Sequence, residues 1–196
     1  MIPKATTLVF LGRSGSGKDT QIDFLLRREE LKEAVRTSTG DGFREFAARN
    51  TPLGRKAKEI LDKGERQPDW FAFTMWFSSF GALVQEEEIV LSSGSPRSLR
   101  EAGLIDEVLE FIGRPKAVAV YLNIASEEVE KRLLSRGRHD DNKTEILRKM
   151  GWFETDVLPA VDYYRRKQRL IEVNGEQSPE EVFKELEEKL GTYFAK

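Results

Sequence analysis

The apolar run Thr7-Leu8-Val9-Phe10-Leu11 passes straight into Gly12-Arg13-Ser14-Gly15-Ser16-Gly17-Lys18-Asp19-Thr20, and a helical stretch opens at Lys18. A strand, a glycine-rich loop and a helix in that order is the context a phosphate-binding loop requires. The three glycines free the backbone to curl, so that successive N–H groups can aim at one anion. The helix behind adds unpaired N–H donors and the positive end of its dipole. Lys18 adds a point charge for the outer phosphates. The loop is therefore expected to hold a nucleoside triphosphate through Gly12, Ser14, Gly15, Ser16, Gly17, Lys18, Asp19 and Thr20.

The position after the lysine commonly carries Ser or Thr, whose hydroxyl meets Mg²⁺. Here it is Asp19, and the hydroxyl arrives one residue later at Thr20. Asp19 suits the first helical turn on electrostatic grounds alone. It and Thr20 are also candidate Mg²⁺ ligands, directly or through water, since Mg²⁺ usually keeps several waters and few protein ligands.

At 196 residues the chain is long enough for one domain with a proper core. Its 32 basic and 34 acidic side chains leave a formal net charge of -2, so no global basic field draws it to nucleic acid or to a membrane. It has no cysteine, which rules out disulfides, thiolate zinc sites and cysteine nucleophiles and fits a reducing cytoplasm. No signal peptide is read, and the apolar stretch from Trp70 to Val84 falls short of the ~20 residues of a membrane span. A cytoplasmic, monomeric protein is expected.

Strand-like runs at Thr7–Leu11, Ala34–Thr37, Ile89–Ser92, Ala117–Asn123 and Leu170–Val173 are separated by helical patterns. These helices are read at Lys18–Arg28, Leu53–Lys63, Asp69–Glu86, Leu99–Ile112, Ser126–Arg136, Lys143–Arg169 and Pro179–Leu190. Such alternation predicts an α/β fold with a parallel sheet covered on both faces. Ligands in such folds sit beyond the carboxyl ends of the strands. Two stretches break the alternation, from Thr39 to Pro68 and from Ser135 to Lys143, and are candidate substrate-covering inserts.

Arginines gather in those places: Arg44 one helical turn into Ser38-Thr39-Gly40-Asp41-Gly42-Phe43-Arg44, Arg97 after Ser93-Gly94-Ser95-Pro96, then Arg132, Arg136 and Arg138 before Asp140 and Asp141. Guanidinium forks recognise phosphate oxygens bidentately. Phosphoryl transfer needs positioned cations more than acid–base chemistry, because its transition state spreads charge over peripheral oxygens.

Gly12–Gln21, Thr37–Arg44, Pro96-Arg97, Arg136–Asn142 and the run from Pro159 through Tyr163-Tyr164 and Val173-Asn174-Gly175 to Phe183 resemble an adenylate kinase, in order and spacing, over essentially the whole chain. The short stretch Arg136–Asn142 is similar to the compact-lid form of that family. The resemblance implies a P-loop NTP hydrolase-type fold, a five-stranded parallel sheet flanked by helices. It also implies a single nucleoside monophosphate kinase domain with core 1–38, 69–135 and 144–196, a helical monophosphate-binding insert at 39–68 and a short lid at 136–143. It implies Mg²⁺-dependent, reversible transfer of the γ-phosphoryl group of ATP to a nucleoside monophosphate, AMP by family default. Lys18 would hold the triphosphate. Thr39, Gly40, Arg44, Gly94 and Arg97 would hold the acceptor. Arg132 would stack on the adenine of ATP, Arg136 and Arg138 would close over the transferring group, and Asp140 and Asp141 would anchor the lid.

Four departures from the family pattern matter. Ser93 stands where a carboxylate usually organises water around Mg²⁺, and Asp19 replaces a glycine. A lid-side arginine falls at Lys149, with Arg148 one residue earlier, and both are taken as catalytic cations although an ammonium is no bidentate clamp. The glutamine that reads adenine falls at Glu101. A glutamine amide both accepts and donates, whereas a carboxylate only accepts, so Glu101 suits a base offering two donors, such as guanine. The alternative places Glu101 as an exposed first-turn residue that touches no base.

His139 is the only histidine, which excludes a multi-histidine metal site, and it reads as a solvent-facing lid residue. The stretch Trp70 to Phe77 is apolar all round and reads as a buried helix. Arg165 to Arg169 reads as a cationic helix end and Glu86 to Glu88 as a solvated one. Against the kinase reading stand a kinase of GMP, UMP or CMP and a catalytically weak nucleotide-binding regulatory module, the latter favoured by Ser93 and Lys149.

Overall fold

A computed structural model describes residues 1–136 and 142–195, with the side chain of residue 136 outside the description. Residues Thr7–Leu11 form β1, Val35–Ser38 β2, Val90–Ser93 β3, Val118–Asn123 β4 and Leu170–Asn174 β5. They make one parallel sheet in the order β2-β3-β1-β4-β5, with β1 central and registered by Thr7 against Val90 and by Leu8 against Val118.

Period-2 alternation along β1 divides the core. Leu8 and Phe10 pack with Ile22 and Leu25 of α1 (Lys18–Leu26) and with Val182 and Leu186 of α9 (Pro179–Phe194). Val9 and Leu11 point the other way, towards Trp76 and Phe80 of α4 (Asp69–Leu83), Ile105 and Leu109 of α5 (Leu99–Phe111) and Tyr164 of α8 (Leu158–Arg166). Both faces of the sheet are thus covered, as an all-parallel sheet requires. Each fully buried Leu or Phe contributes roughly 1.5–3 kcal/mol relative to exposure.

The crossover after β2 contains α2 (Thr39–Ala47) and α3 (Pro52–Asp62), capped by Ser38 and Thr51 side chains that accept from the N–H of Asp41 and Gly54. Phe43 and Ala57 pack on Phe71 and Ala72 at the start of α4, forming a small separate core. Helices α6 (Ser126–Arg136) and α7 (Lys143–Trp152) meet through Val129, Leu133 and Ile146. The N-terminus of α9 carries a reciprocal capping box, Ser178 with Glu181.

Three expectations are corrected. The pattern read as one helix from Lys143 to Arg169 breaks at Phe153–Val157, a π turn. Pro159 explains the break: it has no N–H to give the carbonyl of Thr155, and its ring collides with that carbonyl in a continuous helix. The aromatic helix is not buried all round, because Trp70 and Phe77 are 55% and 49% exposed while Phe71 and Trp76 are sealed. Arg169 is not part of the cationic helix end, because α8 stops at Arg166; it is paired with Asp106 and donates to the Ala117 carbonyl at 2.6 Å.

Candidate active site

The phosphate loop lies at the carboxyl end of β1. Gly12 there has φ +143°, and a Cβ would come within 2.7 Å of Ser16 Oγ and 2.8 Å of the Leu122 carbonyl oxygen. Only glycine fits that close approach to β4. Gly17 caps α1 in the left-handed region at φ +95°, leaving the helix's first N–H groups facing the loop. Lys18 folds over its own loop: its Nζ donates to the carbonyls of Gly12 at 2.9 Å and Arg13 at 2.8 Å and lies 3.3 Å from Ser16 Oγ.

Hollows open on both sides of this loop. One is lined by Gly12, Ser14, Gly15, Lys18, Asp19, Gly40, Phe43, Arg44, Ser93, Gly94, Arg97, Lys149 and Trp152. The other is lined by Gly15, Ser16, Gly17, Thr20, Arg132 and the turn Glu176-Gln177-Ser178-Pro179. The sequence-derived triphosphate set is thus split by the loop, with Asp19 on one side and Thr20 and Arg132 on the other. Arg132 is held by Glu128, its Nε donating at 2.9 Å.

In the first hollow the acceptor arginines converge. A methyl placed at Gly40 would meet Arg44 Nη1 at 3.6 Å and Arg97 Nη2 at 3.9 Å, so both guanidinium groups reach one point beside the N-terminus of α2. Arg44 pairs with Asp41. Two donors to the Asp41 carboxyl, Ser38 and Arg44, outweigh partial burial and hold it below the usual carboxylate range. Arg97 donates from Nε to the Gly94 carbonyl at 2.7 Å and sits over the Phe43 ring at 5.1 Å. Burial pulls its pKa down while the Glu101 carboxylate works the other way. Beside them Thr39 is buried, and its Oγ1 makes no hydrogen bond among the described residues.

Glu101 is not the exposed residue of the alternative reading: it is fully buried at the start of α5. Its Oε2 accepts from Ser95 Oγ at 3.0 Å and from the Arg97 N–H at 2.9 Å. Its Oε1 accepts no hydrogen bond, with Arg66 Nη1 at 3.6 Å. Burial pushes its carboxyl above the ordinary range, against the pull of Arg97 and Ser95. The side chain lies behind the cleft wall rather than among the lining residues.

Of the two lid-side cations, Lys149 is buried and lines the cleft. Arg148 instead caps α3, donating to the Lys63 carbonyl at 2.8 Å. Arg138, Asp140 and Asp141, His139 and the side chain of Arg136 fall outside the described residues.

Sequence reasoning passed over Arg66, Asp156 and Arg13. Arg66 Nε donates to Asp156 at 3.1 Å and Nη1 pairs with Asp69, while Arg13 pairs with Glu154 and lies 4.5 Å over the Phe153 ring. Apart from Arg66–Asp69, three residues apart, these ion pairs join residues far apart in the chain and carry no local pattern. Phe43 and Trp152, which line the cleft, carried only the signal of being aromatic beside Arg44 and Lys149.

A central parallel sheet with a glycine loop on β1, a helical crossover bearing one arginine and a β3 loop bearing another defines a P-loop nucleoside monophosphate kinase. The family model described as adenylate kinase matches residues 10–169, and the chain belongs to the adenylate kinase family. It is 36% identical over 187 residues to "Adenylate kinase 1" of a Nostoc species, covering 95% of this chain and all of that one. It is 33% identical to "Adenylate kinase" of Prochlorococcus marinus (93% of this chain, 97% of that one) and 33% identical to that of Leuconostoc mesenteroides (95% and 97%).

Proposed function

We propose that this chain catalyses reversible transfer of the γ-phosphoryl group of Mg²⁺-bound ATP to AMP. The observation that carries the reading is the single cleft in which Lys18, Arg44, Arg97 and Lys149 meet the glycine loop. A module that only binds has no need of cations aimed at transferred charge, which counts against the regulatory alternative.

In this reading the loop N–H groups and Lys18 hold the β- and γ-phosphates, with Arg132 on the nucleoside side. Thr39, Gly40, Gly94, Arg44 and Arg97 hold the acceptor phosphate, whose oxygen attacks the γ-phosphorus as the bond to the β-phosphate oxygen breaks. Lys149, with Arg136 and Arg138 brought over by the lid that Asp140 and Asp141 anchor, neutralises the spreading charge. Arg148, on α7, holds the end of α3 and supports the cleft from there. Closure keeps water out, so the phosphoryl group meets the acceptor instead of hydrolysing.

The donor set fits Mg²⁺. Asp19 has one oxygen beyond the one that Arg36 occupies, and phosphate oxygens with water would complete a hard-oxygen shell on its side of the loop; Thr20, on the other side, would join it through water. Bound there, Mg²⁺ would supply positive charge to the phosphate oxygens.

A second acceptor reading rests on Glu101. Its Oε1, which makes no hydrogen bond among the described residues and faces Arg66, accepts only, which favours guanine's donor edge over adenine's mixed one. The cysteine-free composition supports a reducing, cytoplasmic setting.

Turnover of Mg²⁺-ATP with AMP, GMP, CMP, UMP and dTMP tests both readings. ADP appearing fastest with AMP is the expected result. No phosphoryl transfer to any of the five sinks the kinase reading, and a preference for GMP moves the acceptor assignment to the Glu101 alternative.

A further inference from the structure

The π turn Phe153–Val157 is gripped from two directions. Arg13, inside the phosphate loop, pairs with Glu154, stacks over Phe153 and donates to the Ile124 carbonyl at 2.9 Å. Arg66, at the end of the acceptor crossover, pairs with Asp156 while holding Asp69 and facing Glu101. The two acids of one five-residue turn are thus tied to the two nucleotide-carrying segments.

The turn is wired in turn to the cleft. The N–H of Phe153 donates to the carbonyls of Lys149 and Met150, closing α7, and Leu158 N–H donates back to Phe153. Lys149, Trp152 and Val157 all line the hollow where Arg44 and Arg97 converge. Phe153 is buried against Tyr121 of β4, so the turn rests on the sheet rather than on solvent. π turns inside helices gather at functional sites, where one extra residue re-aims what precedes it.

We propose that the Phe153–Val157 turn is a positioning joint, in which Glu154 through Arg13 and Asp156 through Arg66 set Lys149 relative to the phosphate loop and the acceptor segment. The proposal rests on the reading of Lys149 as a cation at the transfer point. Asp156 and Glu154 touch neither nucleotide; they act through Lys149. Both pairs are partly exposed, Asp156 by 33% and Glu154 by 51% of the side chain, so neutral isosteres leave the fold in place.

The test is a double-mutant cycle on kcat with melting temperature measured alongside. Asp156→Asn and Glu154→Gln are each made in the parent chain and in Lys149→Met. Lys149→Met is expected to cut kcat at least a hundredfold. In the parent, each isostere is expected to lower kcat about threefold to tenfold, with the KM for ATP within about twofold and melting nearly unchanged. In Lys149→Met neither isostere lowers kcat further, and Asp156→Glu restores most of the parent rate. The proposal is overturned if the isosteres cost the same factor in both backgrounds, as a merely structural role would, or if they leave the parent kcat intact. A full-rate Lys149→Met overturns the transfer-point reading itself, and is visible before any isostere is compared.

Discussion

Arg36, on edge strand β2, donates to Asp19 at 2.9 Å and to Asp23 at 2.5 Å, so the carboxylate that follows Lys18 is leashed to the sheet. The leash uses one oxygen of Asp19 and steadies the other at the rim of the cleft. Asp19→Asn keeps the hydrogen bond and removes the charge. It is expected to raise the Mg²⁺ concentration for half-maximal turnover severalfold, with the acceptor KM unchanged. An unaltered Mg²⁺ titration would leave Asp19 as Arg36's partner alone.

Lys18→Met should cut kcat by orders of magnitude. The ammonium rests on the Gly12 and Arg13 carbonyls at the cleft, and methionine keeps the stem while removing the charge. Melting should therefore shift little while transfer collapses. Paired melting and turnover measurements decide it, and undiminished turnover contradicts the loop assignment.

Arg97→Lys should raise the acceptor KM far more than the KM for ATP. A lysine loses the Nε bond to Gly94, the stack on Phe43 and the second prong of any bidentate phosphate contact. Equal losses for both nucleotides would show that Arg97 does not face the acceptor.

Glu101→Gln should move the AMP-to-GMP ratio of kcat/KM towards AMP. A mismatched buried polar group costs about 1–3 kcal/mol, on the order of tenfold or more in rate ratio. Steady-state kinetics with both monophosphates on both proteins reads the change, and a constant ratio means that Glu101 reads no base.

The same carboxyl gives a pH prediction. Burial raises its folded-state pKa, so above the ordinary glutamate value the unfolded chain has released a proton that the folded chain still holds. Its contribution to stability therefore declines as pH climbs from the ordinary value through the raised one, then levels off. Chemical denaturation across that window should show the decline in the parent and not in Glu101→Gln; parallel profiles would refute it.

The sheet was legible because most strands carry a short apolar run between loops, β1, β3 and β4 being buried almost end to end and edge strand β2, Val-Arg-Thr-Ser, being the exception. The glycine loop and the convergence of Arg44 and Arg97 on one cleft were legible because their spacing is local: a tight turn needs glycine within a few residues, and Arg44 lies less than two helical turns after its cap Ser38. The π turn was not, since Phe153 to Val157 keeps helical periodicity and only Pro159 hints at the break. Nor was Glu101's burial, because a glutamate in a first helical turn looks solvated until Ser95 and the Arg97 amide close over it. Arg148 and Lys149 are neighbours in sequence, yet helical geometry turns one to α3 and the other to the cleft.

Phe43 and Ala57 of the crossover after β2 complete their small core only with Phe71, Ala72 and Met75, and the same helix sends Trp76 and Phe80 into the main core one to two turns after Ala72. Helix α4 is therefore a party wall, owned by two compartments at once. A crossover transplanted from a relative would arrive without its far side unless the opening turns of α4 travelled with it, so crossover segments in this architecture are exchangeable only as far as residue 75, not as the loop-bounded cassette that ends at Pro68.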